Sequence, residues 1–184
     1  MYKGLYNNFK HWFNEERGTV FFYSDPHFSD EEMNKARNIT DREQIESINK
    51  VIGKYDTLVI LGDIGNIECV RKLHGWPILV MGNHDAGAAR YISPFREIYE
   101  GPLFISEKLL LSHEPIDCPY AINIHGHDHA NRSYQDINHW NVCAENINYT
   151  PVPLKTILNS GRLKRIDSIH RVTIDKATER KKKK

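Results

Sequence analysis

The sequence is poor in cysteine, with Cys69, Cys118 and Cys143 as its only thiols in 184 residues. An odd, widely spaced set without a CxxC pair argues against a disulfide framework and a thiolate zinc site, and reads as reduced thiols. Long apolar runs are also missing. The longest, around Thr57–Leu61, is far short of the roughly 18–20 residues that span a bilayer, so no membrane association is expected. The opening MYKGLYNNFKHW has no apolar stretch of the kind a secretion signal needs. These absences together point to a cytoplasmic protein. No excess of one charge exists either, the net charge being +1. That balance conceals a split. Residues 162–184 carry ten Lys and Arg against three Asp and Glu, while the preceding 161 carry fifteen against twenty-one. An acidic body is thus followed by a basic tail. At 40% hydrophobic and 27% charged, the composition excludes a collagen, a coiled coil and a disordered chain. The length fits a single domain, placed at residues 1–161, with a flexible tail at 162–184.

Hydrophobic patterning suggests strands alternating with helices. Leu5, Phe9, Trp12 and Phe13 have helical spacing. TVFFYS, TLVILG and PILVMG read as strands, PLFIS and KLLLS as a hairpin, YAINIH as a further strand and NVCAE as a weaker one. Thr40 and Glu43 form a capping-box pattern opening a helix toward Gly53. Short helices are expected over 68–74 and within 150–161, and helix and loop over 86–99. The apolar runs are nearly continuous, as in strands covered on both faces, so the expected class is α/β.

Five of these runs end in residues able to bind a metal. VFFYS leads to Asp25 and His27, LVILG to Asp63, ILVMG to Asn83 and His84, LLLS to His113, and AINIHG to His127 and His129. Ligands of α/β sheets bind beyond the carboxyl ends of strands, so the five ends are expected to converge. Asp25 and His27, like His127 and His129, are two apart, which in extended backbone puts both on one side. Gly62, Gly82 and Gly126 precede their functional residues and allow close backbone approach. Oxygen and nitrogen donors without sulfur suit Mn2+, Fe2+ or Zn2+. Asp25, His27, Asp63, Asn83, His113, His127 and His129, seven candidate ligands, are too many for one tetrahedral ion but suit two. With only two carboxylates among them the site stays positive and invites an anion such as phosphate.

The set DxH, GD, GNHD, His113 and GHxH, in that order across residues 25–129, resembles the calcineurin-like metallophosphoesterases, and in its compactness their small bacterial and phage branch. The resemblance implies an αββα sandwich of two mixed sheets flanked by helices. It also implies a hydrolase of phosphate mono- or diesters with two divalent ions, most often Mn2+, and a bridging hydroxide nucleophile. One ion would take Asp25, His27, Asp63 and His129, and the other Asp63, Asn83, His113 and His127. His84 would stand over the substrate phosphate, with Asp85 orienting its imidazole. The acidic Phe28–Glu32 stretch departs from the family pattern, and the 27 residues between Asp85 and His113 leave no room for a large cap. The partner expected is a phosphorylated substrate, with Arg132 as a candidate contact. Two rival readings follow from the same residues: a metal-containing binding scaffold without catalysis, and a nuclease or nucleic-acid binder using the basic tail. His125 reads as structural.

Overall fold

The computed structural model describes residues 4–13, 18–131 and 136–182. Its strands form two mixed sheets. The first has the order β4-β3-β2-β1-β9 and comprises β1 (Val20–Tyr23), β2 (Thr57–Leu61), β3 (Trp76–Val80), β4 (Glu97–Tyr99) and β9 (Val152–Pro153). Strands β1 to β4 run parallel, and β9 closes the edge antiparallel to β1. The second sheet has the order β5-β6-β7-β8, from Leu103–Ser106, Leu109–Leu111, Ile122–His125 and His139–Asn141. Its β5–β6 pair is the expected antiparallel hairpin, and the other two pairs are parallel.

Alternation of side chains decides how the layers stack. Phe22, Val59, Leu61, Ile78 and Val80 of the first sheet share one core with Ile105, Leu109, Leu111, Ile122 and Ile124 of the second. Their neighbours Tyr23, Leu58, Ile60 and Leu79 face the other way, against Ile45, Ile48 and Ile52. Those isoleucines come from α2 (Asp41–Asn49) and the turn after it. All five residues of β2 are buried, because both faces of this strand are covered. At about 25 cal/mol per Å2 of apolar surface, each fully buried Ile or Leu is worth roughly 1.5–3 kcal/mol. The outer face of the second sheet is more polar. There Asn123 accepts from the backbone N–H of Ile116 at 2.7 Å and donates to Ser112 Oγ at 2.7 Å, fastening the segment after His113 over the strand.

The helices follow their local signals. Thr40 and Glu43 make the capping box that opens α2. The acidic run after the first motif has a local purpose: Asp30 caps α1 (Glu31–Arg37), accepting from Met33 N at 2.9 Å, and Glu31 and Glu32 occupy its first turn. Helix α3 (Ile67–Val70) is shorter than expected, and α4 spans Leu154–Asn159. Strand β4 lies where helix and loop were expected, because three residues beside β3 satisfy their backbone groups in the sheet.

The tail also differs from expectation. Arg162–Arg165 is a 3-10 turn and Ile166 is buried, so the packed body extends past residue 161. The Lys108 ammonium donates to Leu163 O at 3.1 Å, and the Arg162 guanidinium lies 4.7 Å over Trp140. Ile169–Lys182 forms α5, a helix where fraying was expected. Among the described residues no helix is long and apolar enough to cross a membrane.

Candidate metal centre

The strand ends converge as the sequence suggested, but by a different local geometry. Asp25, His27, Asp63, His127 and His129 all have φ between 43° and 63°, in the left-handed region. Extended i, i+2 alternation is therefore not what turns these pairs to one side. Each chain turns sharply just past its strand and aims the side chain inward. Such conformations cost about 1–3 kcal/mol each and persist where the surroundings enforce them. The backbone enforces them here: Asp25 N–H donates to Gly62 O at 3.2 Å and His27 N–H to Asp63 O at 3.0 Å. Gly126 is needed for close approach, since a Cβ there would collide with Ser24 and the Asp25 carboxylate. Gly62, at φ +83°, would collide with His113 and Gly82.

Two groups of donors result. Asp25, His27 and His129 form one, and Asp63, His113 and His127 the other. Asp63 Oδ2 lies between them, 3.6 Å from His27 Nε2 and 3.4 Å from His113 Nε2. Asn83 joins the second group, its Oδ1 lying 2.9 Å from His113 Nε2 and 3.0 Å from His127 Nδ1. His113 Nε2 and His127 Nδ1 are 3.1 Å apart. All seven candidate ligands are thus brought together.

The free atoms of this cluster carry lone pairs. His113 Nδ1 is 2.8 Å from Leu61 O and must donate to it, so Nε2 is the nitrogen that carries the lone pair of the neutral ring, and it faces the site. Asp25 is fully buried and uses its two oxygens differently. Oδ2 accepts from His127 N–H at 2.9 Å and the Cys143 thiol at 3.1 Å, with Ser24 Oγ 2.6 Å away. Among the described residues Oδ1 has no hydrogen-bond partner, and neither has His27 Nε2. Burial pushes the Cys143 thiol up, keeping it a donor. Burial also lowers His27, against the raising effect of Asp25 and Asp63, and leaves a neutral imidazole. Buried acceptors facing one another without protons are costly unless a cation sits between them. Bonds of about 2.1 Å to one ion would separate neighbouring donors by about 3.0–3.4 Å, as found in the second group. The residues fit divalent ions.

Two residues that the sequence does not single out brace this centre. The Arg37 guanidinium donates to Asp25 O at 2.9 Å and pairs with Glu145 Oε2 at 2.9 Å. Two groups meet His129 Nδ1, Arg37 Nη2 at 3.1 Å and Glu145 Oε1 at 2.8 Å; the guanidinium can only donate, and the nearer carboxylate accepts when Nδ1 carries the proton. That contact raises the His129 pKa, more than burial lowers it. Burial raises Glu145, but the His129 hydrogen bond, its own backbone N–H and the Arg37 charge outweigh it, so the carboxyl is lowered. Arg37 and Glu145 are 108 positions apart, and no short motif contains both. A buried contact further back also counts: Gln44 of α2 accepts from Tyr23 Oη at 2.5 Å and donates to Pro26 O at 3.0 Å, fixing the first motif on the helix.

Asp85 corrects an expectation. Its carboxylate accepts from the backbone of Gly82 at 2.8 Å, Asp63 at 3.1 Å and Ile64 at 3.0 Å, and so does not orient His84. Three N–H groups of a tight loop out-compete a neighbouring exposed imidazole for one carboxylate. The His84 ring is exposed, its centroid 6.2 Å from that of His27, and its backbone N–H donates to Asp63 Oδ1 at 3.1 Å. A cleft of about 300 Å3 opens beside Asn83 and His113, with Met81, Pro102 and Ile116 in its walls and Glu100 and Glu114 at its rim. His125 is buried, its ring 5.5 Å from that of His139 on the outer face of the second sheet. Arg132 lies outside the described residues.

No protein-family model and no curated protein matches the chain. Among solved structures, it is similar to a protein of unknown function from Aquifex aeolicus, at 28% identity and a TM-score of 0.63. The match covers 77% of this chain and 98% of the other.

Proposed function

We propose that the chain is a metal-dependent phosphoesterase with a two-ion centre, of the calcineurin-like type in fold and ligand order. The observation that carries this reading is the sharing of Asp63. One of its oxygens stands within 3.6 Å of a histidine from each donor group, as a carboxylate between two cations must. Asp25, His27, Asp63 and His129 would hold one ion, and Asp63, Asn83, His113 and His127 the other, Mn2+, Fe2+ or Zn2+ being compatible with these donors. When bound, such a pair supplies positive charge to phosphoryl oxygens and lowers the pKa of water toward about 7.

The protein's own groups do the rest. Asp25 and Asp63 contribute only two negative charges, so an anionic ester is attracted. His84 stands exposed beside His27, placed by its backbone bond to Asp63, and donates a proton to the departing oxygen. Asp85 keeps that loop closed on Asp63. The open cleft beside Asn83 and His113 receives the alcohol part of a mono- or diester.

The test is hydrolysis of p-nitrophenyl phosphate and bis(p-nitrophenyl) phosphate by purified protein with added Mn2+, Fe2+ or Zn2+. Turnover that requires an ion and stops with chelator is expected. No turnover of either ester with any ion would sink the proposal.

A further inference from the structure

We infer that Glu145, locked by Arg37, is the positioning residue of His129, and that this pair sets the affinity of the Asp25–His27–His129 group for its ion without governing the other group. The inference rests on the two-ion reading above and assigns roles that no motif carries.

The contacts form a closed path. Arg37 holds the backbone of Asp25 and pairs with Glu145, and Glu145 holds the ring of His129, so two of the three ligands hang on one ion pair. The same segment secures the His129 backbone, whose carbonyl accepts from Asn141 Nδ2 at 3.3 Å and from Asn146 Nδ2. Arg37 is not available to substrate: its side chain is 6% exposed and its terminal nitrogens are engaged within the protein. Glu145 binds the ring nitrogen of His129 that faces away from the cluster. With Nδ1 protonated, Nε2 keeps its lone pair toward Asp25 Oδ1, 4.0 Å away. A carboxylate behind a ligating histidine fixes its tautomer and orientation, and loss of such a partner typically costs about 10–100-fold in metal affinity. In the second group no ligand ring rests on Glu145, and His113 is oriented instead by the Leu61 carbonyl.

The experiment titrates Mn2+ into chelator-treated full-length protein, following bound ions by electron paramagnetic resonance, for wild type, Glu145→Gln and Glu145→Ala. Wild type is expected to bind two ions. Glu145→Ala should weaken one of them about 10–100-fold and leave the other unchanged. Glu145→Gln keeps an acceptor for Nδ1–H and should fall between the two. It also carries the test alone if the alanine variant fails to fold. Unchanged affinity for both ions in the variants, or equal loss of both, overturns the role of Glu145 while leaving the two-ion reading intact. Fewer than two ions on the wild type overturns that reading and this inference with it, and is seen before any variant is made.

Discussion

The floor and the rim of the candidate centre are built by different means. The floor consists of Asp25, Asp63 and His113, which are 0%, 2% and 4% exposed. Each follows a central strand and has part of its side chain pinned by protein, leaving another atom for the centre. The rim consists of Asn83, His84 and His127, on loops open to solvent. A floor acceptor cannot fall back on water, so its energy depends on what lies in the centre. A rim group can be hydrated. Asn83 and His127 would still each give an atom to an ion, whereas His84 gives none and is free to meet substrate, which separates a residue needed for chemistry from those needed for assembly.

The largest effect is expected on the floor. Asp63→Asn replaces the shared carboxylate by a neutral amide whose nitrogen carries no lone pair for an ion. Both the stoichiometry of bound Mn2+ and ester hydrolysis should collapse. Two ions still bound, with turnover, would erase the distinction between floor and rim. Next comes the rim. His84→Ala removes a proton donor and no ligand, so kcat should fall about 10^2–10^4-fold with metal binding unchanged. A metal-replete variant with full activity would remove His84 from the mechanism.

The floor was readable from sequence because each strand is a short apolar run followed at once by its ligand, so β1, β2, β3, β6 and β7 point to the same crevice. The means of convergence was not readable. Pairing Asp25 with His27 by strand alternation gives the right partners for the wrong reason, since both residues are left-handed. Such φ values are imposed by neighbouring chain ends, not by local propensity. Arg37 and Glu145 escaped for a related reason. An arginine at the end of a polar helix and a glutamate in a loop are commonplace locally, and only the fold brings them to His129. Strand β4 and helix α5 carry weak local patterns, three residues in one case and a lysine-rich run in the other.

Asp85 sits on the boundary between the two regions and gives an intermediate effect. In Asp85→Ala the N–H groups of Gly82, Asp63 and Ile64 lose their acceptor, a loss of about 2–3 kcal/mol in total. For a chain of this size that lowers Tm by roughly 4–12 °C. If the carboxylate served the His84 imidazole instead, the main change would be a displaced limb of the pH–rate profile with Tm preserved. Thermal unfolding of the variant without added metal distinguishes the two roles.

The smallest effect tests whether the floor's outer support is electrostatic. Asp41, at the start of α2, accepts from Ser29 N–H and Oγ at 3.0 Å and from Asn34 Nδ2 at 2.9 Å, and so fixes the turn just after His27. Burial raises its pKa, but the hydrogen bonds from Ser29, Asn34 and Cys69 outweigh this, so the carboxyl is lowered overall. A carboxyl depressed on folding stabilises the native state above its unfolded pKa of about 3.9, and the contribution fades as pH falls through the folded value. Its partly exposed position limits the worth of these contacts to about 1 kcal/mol or less. Asp41→Asn should therefore unfold at slightly lower urea than wild type at pH 7, and the gap should close as pH falls through and below the ordinary carboxyl range. Measured with chelator present, the comparison excludes the ligands' own coupling to metal. A gap that stays constant across this range would show that Asp41 acts through shape alone, and that the support beneath the first motif is as insensitive to charge as the apolar layer behind it.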